Sequence, residues 1–245
     1  MIVRDEPAVV LHRRAYRNTS LIVDCLTPGF GRITLVARGA RARKRRTSAA
    51  IEPFMPMLIG WQGRGEVRTL VAAEATGGFP ALYGVDLAAG LYVNELVLRM
   101  LSVGDPHPGV FAAYGAVLSC IVGNGRPLDG PLRRFERALL DDVGFGLVLD
   151  RDSEGRPLDE QAQYAYLPAA GPVRSSPGSA HHGPCLAGAS LIAFYNDDLY
   201  DGTVLKDCKR LTRWVLDHYL DGRPLRSREL LAVMARTAKS VSRST

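Results

Sequence analysis

Residues 21–38 read LIVDCLTPGFGRITLVAR, and this stretch predicts a β-hairpin. Its first part, residues 21–27, is rich in Leu, Ile and Val, and from residue 32 onwards Ile33, Leu35 and Ala37 occupy alternate positions. Between the two parts lies a Pro-Gly-Phe-Gly turn at residues 28–31. Two apolar runs separated by a glycine-rich turn are typical of paired antiparallel strands.

Three further short apolar runs surround this hairpin, at residues 8–12, 54–61 and 67–74. The last two are joined by Gln-Gly-Arg-Gly at residues 62–65, and Pro56 inside the fourth run indicates an edge or a bulge. Five short strands within residues 1–79 fit a small closed barrel better than an open sheet, whose edges would be exposed.

The rest of the chain predicts helices. Gly-Gly-Phe-Pro at residues 77–80 ends the strand pattern and sets a domain boundary at residue 79. Helical periodicity follows at residues 82–102, 110–122, 132–143, 186–195, 203–220 and 227–234, with Ser227 as the N-cap of the last helix. Residues 150–190 are rich in Gly, Pro, Ser and charge, which indicates a long irregular loop or a reduced subdomain with one short strand at residues 164–167. We therefore expect an α+β protein with a barrel domain at residues 1–79 and a helical domain at residues 80–245, ending in helices at 203–235.

Composition favours a soluble globular protein. Of 245 residues, 47% are hydrophobic and 23% are charged. No run approaches the roughly 20 apolar residues of a membrane span, and no signal sequence is evident. The four cysteines, Cys25, Cys120, Cys185 and Cys208, form no close pair, which suits a reducing compartment. We expect a cytoplasmic protein without membrane contact.

The charge distribution points to nucleic acid. The net charge is +6, but residues 1–79 carry +7, residues 80–170 carry −5 and residues 171–245 carry +4. Clustered arginine in a basic protein is typical of nucleic-acid binding, although a generic basic protein would have the same total.

The most informative feature is a basic run between the third and fourth strands. Six cationic side chains fall within nine residues: Arg38, Arg41, Arg43, Lys44, Arg45 and Arg46. A small core cannot hold this charge, so the run is exposed, and arginine-rich loops suit phosphate groups. The same pattern fits DNA, RNA, an acidic protein tail or a plain solvated loop. Three aromatic residues of the barrel, Phe30, Phe54 and Trp61, either stack on bases or fill the core.

Arg133 and Arg134 open the third helix. Because neighbouring residues point in different directions, at least one can face a groove while Phe135 packs, and an arginine fork suits a carboxylate. The alternative is a structural pair with Glu136 and additional surface charge.

Signatures of enzymes and metal sites are missing from the sequence. It contains neither a phosphate-binding G-x-x-x-x-G-K-[ST] loop nor a G-x-S-x-G elbow. His181 and His182 lie near Cys185, but in a polar loop without a second cysteine pair. We therefore expect no catalytic site, no cofactor and no metal.

Short motifs along nearly the whole chain, in order and with matching spacing, resemble the RecO family of bacterial recombination mediators, which are DNA repair proteins. The motifs are Thr19-Ser20-Leu21 with Asp24 and Thr27, residues 31–32 and 35–41, Pro53-Phe54, residues 63–67 with Thr69-Leu70, residues 90–96, residues 132–136 with Leu139-Leu140 and Gly144, Lys209-Arg210, Tyr219-Leu220, and residues 224–230.

The resemblance implies an OB-fold barrel followed by a helical domain. It also implies binding of single-stranded and double-stranded DNA, annealing of complementary strands, partnership with RecR, and docking of the acidic tail of single-stranded DNA-binding protein, for which Arg133 or Arg134 is the candidate. With RecR, such proteins help load RecA onto coated DNA near the nucleoid. Some members hold a four-cysteine zinc site in the part corresponding to residues 150–190. Here that part contains only Cys185, so the resemblance suggests a reduced, zinc-free finger-like region.

Two other functions remain open at this point. One is an RNA-binding OB-fold protein, which has the same barrel and charge. The other is an enzyme such as a metal-dependent hydrolase, for which the sequence offers little support.

Overall fold

A computed structural model describes residues 1–41, 51–77, 82–122, 127–175, 183–220 and 222–241. The strands are β1 (Ile2–Tyr16), β2 (Ser20–Thr27), β3 (Gly31–Ala37), β4 (Pro56–Gln62), β5 (Val67–Ala75), β6 (Gln163–Leu167), β7 (Gly171–Arg174) and β8 (Cys185–Ala187). The helices are α1 (Gly84–Met100), α2 (Pro108–Val122), α3 (Asp129–Asp142), α4 (Gly188–Tyr195), α5 (Gly202–Tyr219) and α6 (Arg226–Val241).

The first five strands close into a barrel in the order β1-β2-β3-β5-β4. The hairpin of β2 and β3 is confirmed, β1 pairs antiparallel with both β2 and β4, and β3 pairs with β5 in parallel. β1 is much longer than the predicted run at residues 8–12, because only its middle is buried while both polar ends still pair with neighbouring strands. Pro56 is the first residue of β4, where a missing N–H is tolerated.

Alternate positions of the strands fill the barrel. Ile33, Leu35 and Ala37 of β3 are buried together with Trp61, and Phe30 packs edge-on against the Trp61 ring with centroids 5.0 Å apart. Phe54 is also buried. Among the two alternatives for these aromatic residues, the structure therefore favours core packing over base stacking.

A β-bulge in β1 explains a buried asparagine. The pairing of β1 with β2 shifts between Val10 and His12, so Leu11 has no partner in the ladder. The side-chain Nδ2 of Asn94, in α1, donates to the Leu11 carbonyl at 2.7 Å. The Asn94 Oδ1 in turn accepts from the Tyr114 hydroxyl of α2 at 2.6 Å. One side chain thus links the barrel to two helices.

The turn of the β2–β3 hairpin lies against the loop between α1 and α2. Gly31 has a φ of +62°, and a Cβ there would lie 1.7 Å from the Asp105 carbonyl oxygen. Arg32 extends the contact, because its Nη1 donates to the Leu98 carbonyl at 2.9 Å and its own carbonyl accepts from the Gly104 N–H at 2.8 Å. The Gly31-Arg32 motif therefore serves packing.

Glu95 of α1 binds the start of α6. Its carboxylate accepts the backbone N–H of Arg226 at 3.2 Å, the N–H of Ser227 at 2.8 Å and the Ser227 hydroxyl, and it pairs with Arg99 at 2.7 Å. The expected N-cap at Ser227 is wrong, since α6 begins at Arg226. A carboxylate from another helix satisfies the first N–H groups instead.

The chain forms two compact units that do not follow the order of the sequence. The first unit contains residues 1–124 and 225–245, so it joins the barrel to α1, α2 and α6. The second unit contains residues 125–224. The barrel ends at Ala75, and the boundary at residue 79 between a barrel domain and a helical domain stays a prediction.

The second unit packs α3 and α4 against α5, next to a three-stranded antiparallel sheet in the order β7-β6-β8. The prediction of an irregular loop at residues 150–190 is therefore wrong for the part of this range that the structure describes. The expected strand at 164–167 is confirmed as β6, and the sequence missed β7 and β8 because they have only four and three residues. Gly188 is required at the end of β8, since a Cβ there would lie 1.9 Å from the Asp159 carbonyl.

Candidate nucleic-acid interface

An open groove of about 580 Å³ lies on the outer surface of the barrel. Its walls are the end of β1, the turn that leads into β2, the end of β3 and the start of β5. Outward-facing positions form the floor, as shown by Val36 and Thr69, which pair across β3 and β5. The groove shares β3 and the turn between β1 and β2 with the surface on which OB-fold barrels bind oligonucleotides.

Arginine side chains surround the groove. Arg17 and Arg38 line it and are exposed. Arg41 is exposed as well, and its backbone N–H donates to the Thr19 carbonyl at 2.8 Å. This hydrogen bond connects the start of the basic run to the turn between β1 and β2, which forms one wall of the groove. The other predicted cations, Arg43, Lys44, Arg45 and Arg46, lie outside the described residues.

Tyr16 and Arg17 are not among the residues predicted from the sequence. Tyr16 is half-buried in the groove wall, and the Arg17 guanidinium carbon lies 5.1 Å from the centre of its ring. Arg17 has a φ of +51°, a left-handed conformation that is uncommon outside glycine and asparagine. The available signal was an aromatic residue followed by arginine directly before the turn into the second strand.

Arg68 lines the groove in the register of β5, on a position that faces the barrel interior. Its register partner is the buried Leu35, so both side chains face the barrel interior. The Arg68 Nε donates to the Gly65 carbonyl at 3.3 Å, and its Cζ lies 5.8 Å from the Trp61 ring centre. This cation therefore supports one end of the barrel.

No acidic side chain occurs among the described residues that line the groove. A smaller depression of about 270 Å³ lies on the other side of Arg38, between Ala37, Ile51 and the middle of β5. Arg38 thus stands between two surface hollows, beside a groove that combines cations, hydroxyls and one aromatic ring. A polyanion with planar groups matches this chemistry.

The two arginines of the second predicted site, at the start of α3, differ in their exposure and in their partners. Arg133 is 2% exposed, and its Nη2 donates to the buried Glu136 carboxylate. Arg134 is at the surface, with 42% of its side chain exposed, and its Nε donates to both carboxylate oxygens of Asp197, at 2.7 and 2.9 Å. Only Arg134 of the two can reach a partner without rearrangement of the fold.

The apolar side chains beside these arginines are not available at the surface. Leu132, Phe135, Leu139 and Leu140 are all buried between the helices. Burial also raises the pKa of the neighbouring Cys208 thiol to about 12. The apolar face of α3 therefore stabilises the second unit.

Neither metal nor membrane chemistry has support in the described part of the chain. It contains no group of three or more His, Cys, Asp or Glu residues that could hold a metal ion. Residues 150–190 contain a single cysteine, Cys185. All four cysteines are free. None of the described helices is both long and apolar enough to cross a membrane.

A five-stranded OB-fold barrel followed by helices defines this chain as an OB-fold protein of α+β class. Two family models match it: one described as "Recombination protein O N terminal" at residues 1–79, and one described as "Recombination protein O C terminal" at residues 84–229. The chain belongs to the RecO family of DNA repair and recombination proteins.

Curated relatives agree over most of the chain, and each carries the name DNA repair protein RecO. A protein from Alkalilimnicola ehrlichii is 44% identical over 97% of this chain and 94% of its own length. One from Pseudomonas aeruginosa is 42% identical over 90% of this chain and 91% of its own. One from Ralstonia nicotianae is 38% identical over 94% and 84%.

Proposed function

We propose that this protein is a non-catalytic mediator of homologous recombination. It binds single-stranded and double-stranded DNA, anneals complementary strands and, with RecR, helps load RecA onto DNA coated by single-stranded DNA-binding protein. It acts in the cytoplasm at the nucleoid and needs no cofactor. The observation that carries this proposal is the arginine-rimmed groove on the outer surface of the barrel, next to the basic run.

Arg38 and Arg41 contact phosphate groups, together with Arg43, Lys44, Arg45 and Arg46. A run of arginines recognises the backbone rather than the bases, because counterion release does not depend on sequence. Replacing residues 43–46 by alanine weakens binding to all sequences alike. It also reduces the dependence of log K on log salt by about 0.7 for each phosphate group of a single strand that the variant no longer neutralises.

The matched control is Arg4→Ala, which removes an exposed arginine of β1 that does not line the groove. Its salt dependence stays at the wild-type value. An unchanged salt slope in the quadruple variant would refute the assignment of the basic run.

Strand annealing tests the function as a whole. Two complementary strands, each coated with single-stranded DNA-binding protein, are mixed with and without the protein. Faster duplex formation supports a mediator.

The alternative function is that of an RNA-binding OB-fold protein. Competition between DNA and RNA strands of the same sequence distinguishes the two functions. Stronger competition by RNA contradicts the assignment to DNA.

The tail of single-stranded DNA-binding protein docks at the start of α3 through Arg134. Arg134 is exposed, and its partner Asp197 is also at the surface, so an incoming carboxylate can replace a pair that contributes roughly 0–1 kcal/mol. Arg133 shares this assignment only as the residue that fixes α3, because it is buried against Glu136.

The test of this docking site is Arg134→Ala, titrated with a labelled tail peptide and separately with naked DNA. Loss of peptide binding with DNA binding retained supports the site, and wild-type peptide binding places the pocket elsewhere. Lys206→Ala, an exposed cation of α5, is the control. Substitution of Arg133 is avoided because it would leave Glu136 as a buried charge and unfold the unit.

A further inference from the structure

We propose that the outer groove of the barrel holds one unpaired base stacked on Tyr16 and Arg17, and that this contact makes the protein prefer single strands to duplex. The inference rests on the proposed function, because it requires DNA in the groove. It adds the kind of DNA that is selected and the residues that select it.

Tyr16 and Arg17 form a ready platform. The guanidinium carbon of Arg17 lies 5.1 Å from the centre of the Tyr16 ring. Tyr16 is the last residue of β1 and pairs with Ser20, the first residue of β2, so its backbone is fixed by the ladder. Nucleic-acid bases stack on aromatic rings and on guanidinium planes alike. A rigid ring costs little conformational entropy when a base stacks on it.

The surroundings of the platform suit a base and its phosphates. Hydroxyl groups of Thr19, Ser20 and Thr69 line the same groove, and hydroxyls can donate to or accept from any base edge. Arg38 lies at the rim for the flanking phosphate. The volume of about 580 Å³ is in the range of pockets that hold small molecules, roughly 300–1,000 Å³.

A base in duplex DNA cannot use this platform. Both faces of a paired base are covered by its neighbours in the stack, and extruding it costs a few kcal/mol. Duplex therefore binds through phosphates alone, whereas a single strand gains the stacking contact in addition.

The backbone conformation of Arg17 allows a second, independent test. Its φ of +51° is unfavourable for a residue with a side chain, so Arg17→Gly relieves the conformation while it removes the cation. The groove chemistry can thus be weakened without a loss of native backbone geometry.

The experiment compares the affinity of the full chain for oligo-dT and for a duplex of equal length. Tyr16→Leu weakens oligo-dT binding by roughly 5- to 150-fold, the range expected for one stacked base, and changes duplex binding by less than about twofold. Tyr16→Phe keeps the ring and binds oligo-dT nearly as well as wild type. Arg17→Gly weakens both ligands. Tyr83→Leu, which removes a tyrosine that is 77% exposed before α1, changes neither affinity.

If Tyr16→Leu does not fold, the fluorescence of Tyr16→Trp provides a second test. Oligo-dT quenches the new indole beyond any change in the wild-type protein, and duplex does not. Equal losses of affinity for single strand and duplex in Tyr16→Leu, or no quenching in Tyr16→Trp, overturn the inference while DNA binding itself stands. If instead the wild-type protein binds neither oligo-dT nor duplex, the proposed function fails and not this stacking alone.

Discussion

Replacing Asn94 by alanine tests how strongly one hydrogen-bonded side chain contributes to the contact between the barrel and the helices of the first unit. Asn94 is 3% exposed and donates to the Leu11 carbonyl at the β1 bulge, and it accepts from the Tyr114 hydroxyl. The substitution leaves both of these buried groups without their partner. Each such loss costs about 1–3 kcal/mol, so we expect a total of about 2–6 kcal/mol.

Tyr114→Phe removes only one of the two hydrogen bonds. Burial raises the pKa of the Tyr114 phenol, so the hydroxyl is present as a donor at every accessible pH. Its loss leaves one acceptor atom of Asn94 unpaired and costs about 1–2 kcal/mol. In the double variant the hydroxyl and its acceptor are both absent, so the combined effect is smaller than the sum by at least about 0.5 kcal/mol.

The assay is urea unfolding followed by fluorescence in a Trp214→Phe background. Trp61 is then the remaining tryptophan, and it lies buried in the barrel. The shift of the midpoint multiplied by the slope gives the change in the free energy of unfolding. A cost below about 1 kcal/mol for Asn94→Ala, or strictly additive single effects, would refute the role of Asn94 as the link.

Three further outcomes follow from the same structure. Gly31→Ala prevents stable folding of the first unit, because its Cβ would meet the Asp105 carbonyl at 1.7 Å and φ is +62°; a soluble variant with a wild-type melting curve contradicts this. Burial alone would raise the pKa of Glu95, but hydrogen bonds from Ser227 and Arg226 and the charge of Arg99 lower it from its usual 4.5. Its contribution to stability is therefore complete above pH 4.5 and is lost as the pH falls further, so Glu95→Gln flattens the acid limb of a plot of stability against pH. Treatment with a chelator leaves the circular dichroism spectrum and DNA binding unchanged, and elemental analysis that finds one tightly held zinc per chain contradicts this expectation.

Local patterns in the sequence were sufficient to predict the hairpin of β2 and β3. Alternation in residues 32–38 and the glycine turn before them depend on neighbours in the chain, so β2, β3 and their pairing follow directly. The helix predicted at residues 132–143 begins at Asp129, three residues earlier, and includes Pro131 in its first turn, where proline is tolerated.

Features that depend on distant partners could not be predicted in this way. Asn94 and Glu95 interrupt an apolar helix face, and only the bulge at Leu11 and the N–H groups of α6 show why they are there. In the same way, the basic run was visible as composition, whereas the groove needed the ends of three strands to meet. The arginines of α3 had the same local pattern, but packing buried one and exposed the other.

The hydrogen bonds between Glu95 and the start of α6 have a consequence for the synthesis of the protein. Arg226 leaves the ribosome 131 residues after Glu95, which at about 5–20 residues per second is a delay of roughly 7–26 s. During that time α1 has emerged without the helix against which it packs. The whole second unit is made in the interval, since its residues lie between the two segments of the first. Nascent chains truncated before residue 225 therefore expose the α1 surface that α6 covers, and they offer chaperones a binding site that the finished protein lacks.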